Sequence, residues 1–195
     1  MIRVQVTDSL VEEAHRFIDD IDSTHFQKRA DYKEEHLLLG AIGEVGVIDY
    51  FWNNDLLAFK NDGRSSDVRL YSGQTIEVKT QRCTSVPKMS YMVNFGARKK
   101  DIEKSDFFFF TRVEFVAGTP EAIWLLGGCS WDKFFRMATF HQQGETMMNL
   151  YDNGETGPSN RFYNTDCYTL PISQLAPPSA ALKHFKSLQT KEEAQ

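Results

Sequence analysis

The chain has 195 residues and a mass of 22.4 kDa, the size of one compact domain rather than two. Hydrophobic residues make up 41% and charged residues 25%, which excludes a disordered, collagen-like or coiled-coil polypeptide. The net charge of -5 argues weakly against a protein that coats nucleic acid.

The distribution of charge changes that reading, because residues 60–104 hold ten basic side chains against five acidic ones. A basic face on an acidic protein is one expectation; cations that merely solvate strands and loops are the other. The longest apolar runs, 107–110 and 123–126, fall far short of the roughly 18 to 20 residues that span a bilayer. The alternating, unbasic start of the chain lacks the pattern of a signal peptide, so a cytoplasmic protein with no membrane partner is expected. Cys83, Cys129 and Cys167 are odd in number and widely spaced, which points to reduced structural thiols rather than a disulfide framework or a paired-ligand zinc site.

Residues 1–6 predict a short strand. Ser9 with Glu12 predicts a capping box for a helix to about Ile21, carrying an apolar stripe of Val11, Ala14, Phe17, Ile18 and Ile21. A second helix is expected over 33–52, apolar almost all round and therefore buried. Residues 53–66 read as a polar, turn-rich connection. Alternating segments at 67–71 and 75–81, separated by Ser72, Gly73 and Gln74, read as a hairpin. No structure is assigned to the basic stretch 83–105. Runs at 107–115 and 122–128, broken at Gly118, Thr119 and Pro120, predict two sheet strands, the first a buried central one. Ser130 caps a helix over 131–138 whose Trp131, Phe134 and Phe135 pack on the sheet. Residues 142–165 read as a long loop, 167–170 as a last strand, and a short helix and polar tail follow Pro177 and Pro178.

Chemistry concentrates at Asp67, Glu77 and Lys79, with Glu44 upstream. Residues two apart on a strand share a face, so Glu77 and Lys79 project together while Ile76 and Val78 face the core. Val68 and Leu70 join that core, which puts Asp67 and Arg69 beside Glu77 and Lys79. A three-residue turn at 72–74 pairs Arg69 with Glu77 and Asp67 with Lys79, so the two carboxylates lie close enough to share a divalent cation. Glu44 has Leu37, Gly40, Ala41, Val47, Ile48 and Phe51 as helix-surface neighbours, all apolar or small, so it is expected to be aimed into a packed surface and to need a partner, a proton or a metal. Gly40, Gly43 and Gly46 each cost about 1 kcal/mol relative to alanine, a cost that makes sense where the sheet or a substrate packs closely against the helix. The tripeptide alone carries little weight, since Asp31-Tyr32-Lys33 matches it too, at a helix start with no hairpin around it. A structural ion-pair cluster, Asp67 with Lys79 and Glu77 with Arg69, is the competing reading.

The four residues together resemble the PD-(D/E)xK nuclease superfamily, with Glu44 on the helix, Asp67 on the hairpin and Glu77-Val78-Lys79 as the Glu-x-Lys element. Ser66 stands where the family pattern has proline. The aromatic strand at 106–115, the Gly127-Gly128 strand end, the segment 131–135 and the closing segment 168–175 extend the likeness to small phage-type nucleases, over most of the chain. The resemblance implies an α/β fold with a restriction-endonuclease-like core, a mixed central β-sheet flanked by helices. It implies one domain over 1–180, with a short helix and polar tail at 181–195. It also implies a magnesium-dependent deoxyribonuclease in which Asp67, Glu77 and the Val78 carbonyl hold Mg2+ or Mn2+. Glu44 then binds a second metal or anchors water, Lys79 orients or helps deprotonate the attacking water, and Thr80 and Gln81 support the group from behind. Arg64, Arg69, Arg82, Lys88, Arg98, Lys99 and Lys100 are expected to contact DNA phosphates. A homodimer would suit double-strand cleavage. The alternative is a catalytically inactive module of the same fold that binds nucleic acid or a protein partner; an unrelated α/β domain would leave Glu44, Asp67 and Glu77 apart in space. His15, His25, His36, His141 and His184 show no metal-ligand spacing, and Cys83 reads as a bystander thiol.

Overall fold

Four consecutive phenylalanines, Phe107 to Phe110, can be buried together only if both faces of their strand are covered. In the computed structural model, which describes residues 1–19, 34–61, 66–97, 105–150 and 156–192, their strand lies inside a six-stranded sheet between two layers. The elements in chain order are β1 (Ile2–Gln5), α1 (Asp8–Asp19), α2 (Glu34–Trp52), β2 (Ala58–Lys60), β3 (Val68–Leu70), β4 (Thr75–Cys83), β5 (Met92–Gly96), β6 (Phe107–Val116) and β7 (Thr119–Ser130). They continue with α3 (Trp131–Met137), β8 (Thr139–His141), β9 (Thr146–Leu150), β10 (Thr156–Phe162), β11 (Cys167–Pro171), a 3-10 turn (Ile172–Gln174) and α4 (Pro178–Glu192). The large sheet has the order β1-β7-β6-β4-β3-β2 and is mixed: β4 and β6 run parallel, every other neighbouring pair antiparallel. Strands β5-β11-β8 form a second sheet, and β9 with β10 a separate hairpin.

Phe107 and Phe109 point into a core beneath α1, α2 and α4, together with Ile76 and Val78 of β4. Phe108 and Phe110 point the other way, into an aromatic core with Phe95, Trp131 and Phe134 under α3 and the second sheet. The chain is therefore a mixed α/β fold with a mixed central sheet flanked by helices. Ala181 and Phe185 of α4 belong to the first core, so the C-terminal helix is built into the packing. All three cysteines are buried and free.

Several expectations shift in detail. Helix α1 starts at Asp8, with Thr7 rather than Ser9 capping it: the Leu10 N–H donates to Thr7 Oγ1 at 3.3 Å. The connection over 53–66 contains β2, too short for its three residues to show a period. The turn after β6 is Ala117-Gly118, both at positive φ as a two-residue hairpin turn requires, and β7 begins at Thr119. Residues 142–165 hold the hairpin β9–β10 rather than a plain loop, with Met148 and Phe162 exposed. Ser130 caps α3 as expected, its side chain accepting from the Lys133 N–H. Ile21 and the Asp31-Tyr32-Lys33 tripeptide lie outside the described residues. Among the described residues no helix is long and apolar enough to cross a membrane.

Candidate functional site

The β3–β4 hairpin sets the site. Its register pairs Val68 with Ile76 and Arg69 with Thr75, leaving Tyr71, Ser72 and Gly73 as the loop. Gly73 supplies the positive φ of 85° that closes the loop, and its N–H donates to Leu70 O at 2.9 Å. Arg69 therefore faces Thr75, not Glu77, and Asp67 stands level with Glu77, not Lys79. Because each strand slips by one residue, the division into faces survives: Val68, Leu70, Ile76 and Val78 are core, and Glu77 remains on the other side.

Asp67 lies where β3 begins. Its N–H donates to Ile76 O at 3.1 Å, and its Oδ2 accepts from the Val78 N–H at 2.8 Å. A side-chain oxygen thus takes over from the backbone as the acceptor for β4. The N–H and C=O of a residue leave a strand on the same side, so the Val78 carbonyl faces the edge that Asp67 closes. Glu77 is 2% exposed, and a carboxylate so buried needs a counter-charge. Lys79 provides it: its ammonium donates to Glu77 Oε1 and sits 5.5 Å from the Phe95 ring centroid, a cation–π distance.

Glu44 arrives from the other layer. Helix α2 approaches β4 and β6 through Gly43, where a Cβ would fall 1.9 Å from Thr80 Oγ1 and 2.8 Å from Thr111 Oγ1. The sheet, then, is what packs against Gly43 and, through Ile123, against Gly46, whereas Gly40 meets only Glu44. Glu44 itself is half-buried at the margin of α2 rather than aimed into a packed surface, its Oε1 folded back toward Gly40, because the close contact runs through the neighbouring Gly43. Burial pushes the Asp67 carboxyl well above the ordinary aspartate range; the charges of Glu44 and then Glu77 push it further, against Lys79 and the Val78 N–H. Each of the other three residues therefore acts on the Asp67 charge.

Among the described residues, no three His, Cys, Asp or Glu side chains form a ready-made metal shell. Glu77 is engaged by Lys79, and one oxygen of Asp67 by Val78. The donor chemistry nevertheless fits a hard divalent cation: carboxylate oxygens of Asp67, Glu77 and Glu44 near enough for the charges of the last two to act on the first.

The supporting residues divide by face. Gln81 lies along β4 on the side of Glu77 and Lys79, and its Oε1 accepts from Arg112 Nη2 at 3.0 Å. Thr80 lies on the helix side, where its Oγ1 accepts from Thr111 Oγ1 at 3.0 Å. Arg82 is also there, paired with Glu35 and stacked 4.1 Å from the Phe115 ring centroid. Arg69 and Lys88 are exposed, whereas Arg64, Arg98, Lys99 and Lys100 lie outside the described residues. Sequence reasoning missed Phe95 and Arg112. The signal for Arg112 was its place two residues beyond Phe110, but only the β4–β6 register, Gln81 against Arg112, brings it to this face. Comparison with protein-family models, curated proteins and solved structures finds no match for the chain.

Proposed function

We propose that the chain is a metal-dependent nuclease of the PD-(D/E)xK kind that hydrolyses phosphodiester bonds in DNA. The observation that carries this reading is the convergence of Asp67, held by the Val78 N–H, with Glu77 and its partner Lys79, and with Glu44 acting on the Asp67 charge from the helix layer. Asp67, Glu77 and the Val78 carbonyl would hold Mg2+ or Mn2+, with Glu44 at a second cation or on water. A divalent ion there supplies a bound water of lowered pKa and charge to offset that gathering on the phosphate. Val78 N–H fixes one Asp67 oxygen and leaves the other for the cation. Lys79, whose Nζ donates to Glu77 Oε1, would orient or help deprotonate that water and touch the scissile phosphate. In the hydrolysis the water oxygen would bond to phosphorus and give up a proton to solvent as one P–O ester bond breaks, and the departing oxygen would take up a proton from solvent. Gln81 and Arg112 extend the polar side of β4 beyond Lys79.

The experiment is cleavage of supercoiled and linear DNA with Mg2+, Mn2+ or chelator, comparing the wild type with Asp67→Asn and Lys79→Ala. Metal-dependent cleavage that falls at least about a hundredfold in both variants is the expected result, the scale of losing one charge-stabilising group. The Glu77–Lys79 ion pair favours a second reading, an inactive module of the same fold that binds nucleic acid or a protein partner. It predicts no cleavage on any substrate and no heat of metal binding in calorimetry.

A further inference from the structure

Beyond Asp67, the same side of the sheet carries exposed rings beside a cation. The β2–β3 register places Phe59 opposite Arg69, and backbone bonds extend it, Asn61 N–H to Asp67 O at 2.9 Å and Tyr71 N–H to Leu57 O at 3.0 Å. Asp67, Arg69 and Tyr71 thus alternate down one side of β3, with Asn61, Phe59 and Leu57 beside them on β2. Phe59 is 44% and Tyr71 70% exposed, so both rings are open to solvent. Phe59 is braced edge-on against Trp52 at 6.2 Å between centroids. An open cleft of about 420 Å³ runs here, lined by Phe59, Lys60, Asn61, Arg69, Leu70 and Tyr71.

The charges on this cleft are unequal in availability. The Lys60 ammonium donates to Phe17 O at 2.6 Å and lies 4.7 Å from the Phe17 ring centroid, so it is committed to α1. Arg69 is exposed and makes no side-chain hydrogen bond or ion pair among the described residues. A guanidinium with one open ring across the strand pair and another two residues along its own strand suits a phosphate next to unstacked bases. Alternate residues on a strand are about 7 Å apart, a step comparable to that of an extended nucleotide chain. Duplex DNA hides its base faces, whereas a single strand offers a face to each ring.

We infer that this cleft is a binding path for single-stranded DNA, with bases on Tyr71 and Phe59 and a phosphate on Arg69, leading to Asp67. That it delivers substrate rests on the nuclease reading; that it binds a single strand does not. The test is fluorescence anisotropy of labelled dT20 with the full chain in chelator, where no cleavage can occur. Tyr71→Ala and Phe59→Ala are each expected to weaken binding about tenfold, and Tyr71→Phe to restore it, while a blunt duplex of the same length is unaffected. Arg69→Gln is expected to reduce the slope of log Kd against log salt by about 0.7. Circular dichroism of Tyr71→Ala, which alters an exposed ring, confirms the fold.

Wild-type protein that ignores dT20 at low salt overturns the inference, as does Tyr71→Ala binding within twofold of wild type or losing duplex equally. If Asp67→Asn abolishes cleavage while Tyr71→Ala leaves dT20 binding intact, the path falls and the nuclease stands. If ring-dependent dT20 binding is found with no cleavage by any protein, the path stands and the hydrolase falls.

Discussion

Asp67 is a residue that folding tolerates rather than prefers. Its carboxyl titrates well above the usual range because burial and then Glu44 and Glu77 resist its charge. Between its ordinary and its raised pKa, the native state therefore holds a proton that the unfolded chain has released. Stability from this group is present at low pH and declines as pH rises through that interval. Asp67→Asn, which removes the charge and keeps an oxygen for the Val78 N–H, is expected to raise the metal-free melting temperature by a few degrees at neutral pH and to make no difference at acid pH. Thermal melts of both proteins across pH, in chelator, measure this directly; equal curves at neutral pH would show that the site stores no such penalty. The same proton must leave when a cation binds, so Mg2+ affinity should weaken as pH falls, read by calorimetry in two buffers of different protonation enthalpy.

At the scale of elements, the glycines of α2 look alike in the sequence and differ in the fold. A Cβ on Gly40 would meet nothing nearer than Glu44 Oε1 at 4.0 Å, whereas one on Gly43 would collide with the hydroxyls of Thr80 and Thr111. Gly40→Ala should gain up to about 1 kcal/mol from helix propensity. Gly43→Ala should lose more than it gains, since forcing extra atoms into a packed contact costs about 1–3 kcal/mol. Urea unfolding of the two variants distinguishes them by opposite signs. Periodicity made α1, α2, β4, β6 and β7 legible, because each buries a face in a long enough run to show it. It also sorted Asp67, Glu77 and Lys79 to one side, since face depends only on parity. The pairing within the hairpin did not follow, because parity allows slips of one residue in each strand and the positive φ of Gly73 decides among them. Strands β2 and β5 are too short or too irregular in sequence to announce themselves, and with them the aromatic–cation cleft and the Lys79–Phe95 contact stayed out of sight.

For the whole molecule, β6 ties two cores into one unit. Phe185 of α4 packs 5.0 Å from Phe107 on one side, and Phe134 of α3 packs 4.9 Å from Phe108 on the other, as ring-centroid distances. The candidate site depends on both layers: Glu44 comes from the helix over the first core, and Lys79 rests on Phe95 of the second. If successive phenylalanines of one strand transmit packing across the sheet, neither layer can melt alone. Phe185→Ala and Phe134→Ala, each emptying a fully buried ring, should each cost about 3–5 kcal/mol. In both variants the urea transition followed by far-UV dichroism, which weighs α1, α2 and α4, should coincide with the near-UV transition, which weighs the aromatic cluster around Trp131. Phe185→Ala that separates those curves, with the helices melting first and the Trp131 signal surviving, would mean that the second core stands by itself. The carboxylate group would then be a seam between two folding units, because the layer carrying Glu44 could leave while the layer holding Lys79 stayed in place.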